Sequence, residues 1–342
     1  MTIRRTVRAG LALLAAGALL AGCAGGGETP ESGKDGERRQ VTLMLNWTPN
    51  AHHAGIYYAK EHGFYEEAGI DLKIIEPGSD VGADVAVAQG KVEFGISQAE
   101  SVLPARAEGM DVQAIGTLLP VNDSVLMGLS PSGLSEQPGS LAGKQYGGYG
   151  GALETEIISE LVRCGGGDPA SVKFIDIGNV DYLAGLEQKR FDVVWVFGGW
   201  DALRAKNERE DVVTIKMADH LDCIPNWYTP VIIGNGAAME KDPTLARDFL
   251  GATSKGYDKV IEDPAAGAEA LLKGAPELDA DLVKAAVDYY APLFTTDGKP
   301  GHFGVMDEKV WTEFTAFLVK AKMLKDASAA DGAWTNEYLP KN

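Results

Sequence analysis

The chain has 342 residues, of which 45% are apolar and 23% charged, an ordinary globular balance at a length that suggests about two domains. With 31 Lys and Arg against 49 Asp and Glu, the formal charge is −18. That argues against sequence-independent nucleic-acid binding, which needs clustered cations facing phosphate.

Residues 1–8 are basic, with Arg4, Arg5 and Arg8, and residues 9–22 carry no charge. The uncharged stretch is too short for a membrane span but right for the apolar region of an export signal. It ends Leu20-Ala21-Gly22-Cys23. Small residues before a cysteine match a bacterial lipobox, so 1–22 reads as a lipoprotein signal peptide and Cys23 as the lipidated N-terminus. Arg4-Arg5 leaves general and twin-arginine export both open. The leader holds three arginines and no acid, so the chain without it carries −21. Residues 24–39 contain five glycines, seven charges and no large apolar residue. With Cys23 they give a flexible tether over 23–40. The expected location is the extracytoplasmic face of a bacterial cell membrane, held there by lipid.

From residue 41 onward, strands alternate with helices. Residues 41–45 read as a strand, 53–62 as a helix stopped by Gly63, and 70–75 as a strand. Residues 80–89 read as a helix stopped by Gly90, 92–97 as a strand, and 98–108 as a helix before Gly109. The pattern restarts with strand 143–148, helix 152–163, strand 172–177, helix 180–189 and strand 191–197. Residues 231–235 form a further strand. Residues 241–342 are largely helical, with starts at Asp242-Pro243 and Asp263-Pro264 and an amphipathic stretch over 307–324. This alternation implies βαβ units and mostly parallel sheet: an α/β fold of two lobes with a helical C-terminal layer. Spacing alone leaves open whether Cys164 and Cys223 pair.

Motifs for bond chemistry are missing. There is no G-x-S-x-G, and Gly147-Gly148-Tyr149-Gly150-Gly151 lacks the Lys-Ser/Thr of a phosphate loop. His52 and His53 are adjacent, so their side chains rarely share one metal. Neither a catalytic group, nor a metal, nor a cofactor is therefore expected. What stands out is aromatic and amide residues where strands end, the place where open parallel sheets bind ligands. Asn46, Trp47 and His53 follow the first strand, and Ser97 and Gln98 follow the third. Tyr149, Gly151 and Glu154 surround the glycine loop. Trp195 and Phe197 precede Gly198-Gly199, and Asn226, Trp227 and Tyr228 precede the returning strand. Aromatic faces stack on flat ligands, while amides and carboxylates bond to their edges. Core packing is the competing explanation for each aromatic. It is strongest for Trp195, inside an apolar run, and weaker for Trp47 and Tyr228, which have polar and proline neighbours.

The stretch Leu45-Asn46-Trp47-Thr48-Pro49 with His53, the run YYAKEHGFYEEAGIDLKIIEPGS, then GKVEFGIS, and the terminal Thr335-Asn336-Glu337-Tyr338-Leu339-Pro340 carry a resemblance. It is to the bacterial ABC-transporter substrate-binding proteins for thiamine pyrimidine precursors, relatives of the fungal pyrimidine-precursor synthase. The similarity covers about residues 41–340. It implies a type II periplasmic-binding-protein fold whose lobes are joined at a hinge by two crossings, near 126–129 and 230–233. One lobe would be 41–127 plus 232–342, the other 128–231. The resemblance further implies a hydroxymethyl-, aminomethyl- or formylamino-pyrimidine as ligand, bound by lobe closure, with an ABC permease and ATPase as partners. A monomer without nucleic acid is expected.

Two departures from the synthase matter. Its cofactor-holding lysine and consumed histidine fall at Ser97 and Ser101, and its C-C-C-F-C box at Ile224-Pro225-Asn226-Trp227-Tyr228, so synthase activity is not expected. Its phosphate-gripping G-E-F-G turn is here Gly151-Ala152-Leu153-Glu154. A carboxylate there repels phosphate and welcomes an N–H donor, which points to an unphosphorylated ligand. The same carboxylate also suits the first turn of a helix. Riboflavin or another flat heterocycle, a sulfonate, or a role as an exported pyrimidine-metabolising enzyme are the alternatives.

Overall fold

The computed structural model describes residues 38–78, 81–178 and 180–341; the expected signal peptide, Cys23 and most of the tether lie outside them. The first lobe opens with β1 (Arg39–Met44), α1 (Ala54–Glu61), α2 (Phe64–Glu67), β2 (Ile70–Ile75), α3 (Ala83–Ala88), β3 (Phe94–Ser97), α4 (Ala99–Ala107) and β4 (Gln113–Thr117). Gly63, Gly90 and Gly109 follow their helices at φ of 75°, 64° and 84°, the left-handed conformation that ends a helix most cheaply at glycine.

The second lobe holds β5 (Ser124–Leu129), β6 (Gln145–Gly148), α5 (Ala152–Cys164), β7 (Lys173–Asp176), α6 (Tyr182–Glu187), β8 (Val193–Phe197), α7 (Leu203–Glu208) and β9 (Val212–Lys216). The chain then returns to the first sheet as β10 (Val231–Gly234), followed by α8 (Gly236–Lys241), α9 (Pro243–Glu262), α10 (Pro264–Gly274), α11 (Ala280–Tyr290) and α12 (Glu308–Lys320). Asp242 and Asp263 accept from the backbone of Leu245 and Ala266, and each precedes a proline in the first helical position. The two Asp-Pro pairs therefore start α9 and α10 as the sequence requires.

The sheets have strand orders β2-β1-β3-β10-β4 and β7-β6-β8-β5-β9. In the first, β10 runs antiparallel to both neighbours. In the second, β5 does so. Strands β4, β5 and β9 and helices α2, α7 and α8 are additions to the sequence reading. β5 is a continuous buried run, SVLMGL, which resembles a crossing as much as a strand until its partners are known. Residues 126–129, expected at the first crossing, accordingly lie within β5. The chain passes between the sheets in 118–123 and returns in 217–230, so residues 231–233 of the expected second crossing lie within β10.

One core cluster packs the first sheet against α1, α9, α10 and α11, with Phe94 stacked on Phe249 at 4.1 Å. A second is continuous across both lobes and α12, bringing Met44, Leu126, Tyr146, Trp227 and Phe314 together. A third lies behind the second sheet. Among the described residues, no helix is long and apolar enough to cross a membrane.

Candidate functional site

Strand register makes the carboxyl edges of the two sheets adjoin. Thr117 ends β4 beside the start of β10, where Val231 faces both Ser97 and Thr117. A short crossing then delivers Ser124 next to Phe197, the last residue of β8. Residues that follow β1, β3, β6 and β8 therefore lie at the same sheet edges as the two crossings, the edge where open α/β sheets bind ligands.

The loop after β1 contributes Asn46, Trp47 and the histidines. Trp47 is 50% exposed. His53 is wholly buried, and burial pushes its pKa down to about 3. Its Nδ1 accepts from the Asn50 backbone N–H at 3.3 Å, so Nε2 carries the proton and donates to Asn46 Oδ1 at 3.1 Å. This fixes the Asn46 amide, whose Nδ2 makes no hydrogen bond among the described residues. His53 thus positions Asn46 from beneath. His52 is also buried and held near pKa 3 by burial and by His53. Its ring lies edge-on to Phe197 at 4.9 Å and to Tyr290 at 4.4 Å, so Phe197 is an interlobe contact.

At the end of β3, the Ser97 hydroxyl donates to Asp84 Oδ1 at 2.6 Å. Gln98, half-buried, precedes α4 and Ser101 donates weakly to its Oε1 at 3.5 Å. Glu100 follows, and sequence reasoning missed it. Its Oε2 and the neighbouring indole Nε1 of Trp227 are covered, and neither has a well-aligned hydrogen bond among the described residues. Burial is the main cause that pushes Glu100 up to about 7; its own backbone N–H and the nearby Trp227 indole oppose the rise, and the charge of Asp84 adds to it. Asp84 is itself raised by burial, against the Ser97 hydrogen bond. Trp227 is 1% exposed, stacked on Phe314 at 5.3 Å and edge-on to Trp195 at 6.0 Å. Trp195, only half-buried, brings the second lobe to this place.

The glycine loop is held from within. Glu154 accepts from the Tyr146 hydroxyl at 3.0 Å and from the backbone N–H groups of Tyr149 at 2.9 Å and Gly151 at 3.2 Å. The last of these is half of a capping box that starts α5. Three of its acceptor positions are therefore spent on its own loop. Tyr149 is 49% exposed and its hydroxyl meets that of Tyr182 at 2.5 Å.

Asn226 and Tyr228 sit in the returning crossing. Asn226 accepts from Asn122 N–H and donates to the Pro120 carbonyl, both at 3.0 Å. Tyr228, 3% exposed, accepts from Asp307 N–H at 2.7 Å and gives its carbonyl to Ala99 N–H at 2.9 Å. These residues lace the two crossings to each other and to the start of α12. Asp123 does the same on the opposite side. It accepts from the hydroxyls of Tyr289 and Tyr290, each at 2.8 Å, and from Gly199 N–H at 2.9 Å. Burial raises its pKa despite these donors.

Cys164 and Cys223 form a disulfide that ties the end of α5 to the returning crossing. Among the described residues the one group with metal-ligand spacing is Cys164, Asp222 and Cys223, and the disulfide consumes both sulfurs. Cavities of ≈ 370 and ≈ 500 Å³ lie at the far end of the second sheet, around Arg209 and around Lys206, and neither is lined by a candidate site residue.

The model for NMT1/THI5-like proteins matches residues 50–267. The chain belongs to that family. The formylaminopyrimidine-binding protein of Halalkalibacterium halodurans is 25% identical over 95% of this chain and 97% of its own. The 4-amino-5-hydroxymethyl-2-methylpyrimidine phosphate synthase THI5 of Saccharomyces cerevisiae is 27% identical over 88% of each chain. Among solved structures, the alkanesulfonate-binding protein SsuA of Xanthomonas axonopodis pv. citri, bound to MOPS, superimposes with a TM-score of 0.66 and 13% identity, covering 88% of this chain and 99% of that one. The NMT1/THI5-like chain thus has the two-lobe periplasmic-binding-protein fold. Since its relatives carry the names of both binding proteins and synthases, family membership leaves the activity to be decided by the site.

Proposed function

We propose that this NMT1/THI5-like protein is the extracytoplasmic ligand-binding component of an ABC importer and that it takes an unphosphorylated aminopyrimidine of the thiamine-precursor type. What supports this reading is that Trp47 and Tyr149 stand half-exposed and Trp195 partly buried at or just after strand ends, with the Asn46 amide oxygen held by His53. Flat faces and edge donors at a junction of two lobes suit a small heterocycle. The lobes would turn about residues 118–123 and 217–230 and close because the ligand binds the closed form better. Ser97 and Ser101 stand where the synthase has its lysine and histidine, and residues 224–228 lack its cysteine box, which supports binding without turnover.

Asp84 and Glu100 at the same edge favour a ligand with N–H donors over a sulfonate. In this reading Cys23 carries the lipid, 24–40 is the tether, a permease and ATPase receive the ligand, and the body works as a monomer. The test is calorimetric titration of residues 38–342 with hydroxymethyl-, aminomethyl- and formylamino-pyrimidines, riboflavin and an alkanesulfonate. Micromolar or tighter binding of a pyrimidine alone, weakened at least tenfold by Trp47→Ala, is expected. Binding of riboflavin or the sulfonate alone would replace the ligand, and release of a converted pyrimidine would replace the function.

A further inference from the structure

We propose that Glu100 reads the amino edge of the bound heterocycle, pairing as a neutral carboxylic acid with an amino group and the ring nitrogen beside it. This rests on the aminopyrimidine reading above and adds the residue that enforces it.

Glu100 lies in the first turn of α4, two residues after Gln98, at the carboxyl end of β3. Its Oε2 and the Nε1 of Trp227 are covered from water; the indole lies near enough to favour the Glu100 charge, yet neither atom has a well-aligned hydrogen-bond partner among the described residues. Most buried polar atoms are paired, and an unpaired one carries the full cost of its lost water. Two such atoms sit together where β3, the returning crossing and, through Trp195, the second lobe converge. A ligand edge with one donor and one acceptor gives both oxygens of the Glu100 carboxyl a partner.

An amino group beside a ring nitrogen is such an edge. The acid O–H donates to the ring nitrogen, and its C=O accepts from the amino N–H. An ionised carboxylate fits worse, because its two oxygens only accept. The carboxyl is held close to neutral because burial and the Asp84 carboxylate both resist a second negative charge here. Asp84 is occupied by Ser97 and leaves the pairing to Glu100. The flat body of the ligand then lies toward Trp195.

The discriminating variants are Glu100→Gln and Glu100→Met, each titrated with 4-amino-5-hydroxymethyl-2-methylpyrimidine and with its analogue bearing methyl in place of the amino group. An amide offers C=O and N–H side by side as the neutral acid does, so Gln is expected to stay within about threefold of wild type. Met is expected to lose at least thirtyfold for the amino compound and to erase the preference over the methyl analogue. Because it removes a buried orphan, it is also expected to melt no lower than wild type without ligand. Wild-type affinity in Glu100→Met, or a loss in Glu100→Gln as deep as in Met, overturns the proposal while leaving the importer reading intact. A Met variant that melts well below wild type marks Glu100 as structural and overturns it too. Failure of the wild type to bind the hydroxymethyl-, aminomethyl- and formylamino-pyrimidines alike overturns both.

Discussion

Replacing Asp123 by alanine tests how the lobes are tied together. Asp123 lies in the first crossing and accepts from Gly199 in the second lobe and from Tyr289 and Tyr290 on α11, packed with the first. Alanine removes all three acceptor contacts. Tyr289 is half-buried and turns its hydroxyl to water, and Gly199 N–H keeps a contact with the Tyr290 hydroxyl at 3.1 Å. Tyr290 is 0% exposed, so its O–H is stranded. An unsatisfied buried donor costs about 1–3 kcal/mol, and the lost bonds to a carboxylate add to it, so Asp123→Ala should cost roughly 3 kcal/mol. Asp123→Asn keeps the volume and one oxygen, and the freed hydroxyl can turn to accept from the new amide; about 1 kcal/mol is expected. Urea unfolding of residues 38–342 reads both, and a double-mutant cycle with Tyr290→Phe should show coupling of about 1 kcal/mol or more. A cost below about 0.5 kcal/mol for Asp123→Ala, or no coupling to Tyr290, refutes the view that this knot joins the lobes.

Gly199→Ala attacks the same junction sterically. An added Cβ would lie 2.3 Å from Tyr289 Cδ1 and 2.5 Å from Tyr290 Cζ, so the lobes must spread, at about 1–3 kcal/mol; an unchanged melt and an unchanged radius of gyration by X-ray scattering would contradict it. Glu100→Gln separates one titration from the rest. With a folded value near 7 against an ordinary 4.5, Glu100 contributes its stability below pH 4.5 and loses it as pH rises through 7. The Gln variant should therefore gain on wild type across that window, by roughly 3 kcal/mol at most, and hold the gain above it. A pH-independent difference in unfolding free energy would sink the assignment. Cys164→Ser or Cys223→Ser opens a bridge between residues 59 apart, worth about 4 kcal/mol in chain entropy. Wild type should lose a similar amount on reduction, and a melt insensitive to dithiothreitol would show the bridge absent.

Much of the fold was legible because its signals are local. The Asp-Pro pairs at 242–243 and 263–264 set α9 and α10, glycines at 63, 90 and 109 stop their helices, and β2 falls on the six residues read as a strand. β5 was not legible as a strand: a fully buried apolar run has no alternating face to betray it, and its neighbours β8 and β9 lie far along the chain. The candidate site divides the same way. Trp47 and Tyr149 stand exposed at strand ends, as strand-to-loop transitions suggest, and Asn46 meets His53 seven residues on. Asn226, Tyr228 and Glu154 carry side chains suited to a ligand, yet much of their bonding capacity is spent on the crossings and the glycine loop. Nothing in their local sequence distinguishes the two uses.

The acids were the hardest to find. On a chain with 49 Asp and Glu, Asp84, Glu100 and Asp123 look like any solvated surface carboxylate. Only the packing of Trp227 over Glu100, and of two tyrosines and a distant glycine around Asp123, takes them out of water and gives them separate roles. The sequence by itself determined the alternating elements, their stops and the family, because periodicity, caps and short motifs are written within a few residues. Which polar groups are sealed, paired or left waiting for a partner was decided by the tertiary structure, because desolvation depends on neighbours that the chain brings together from its two ends.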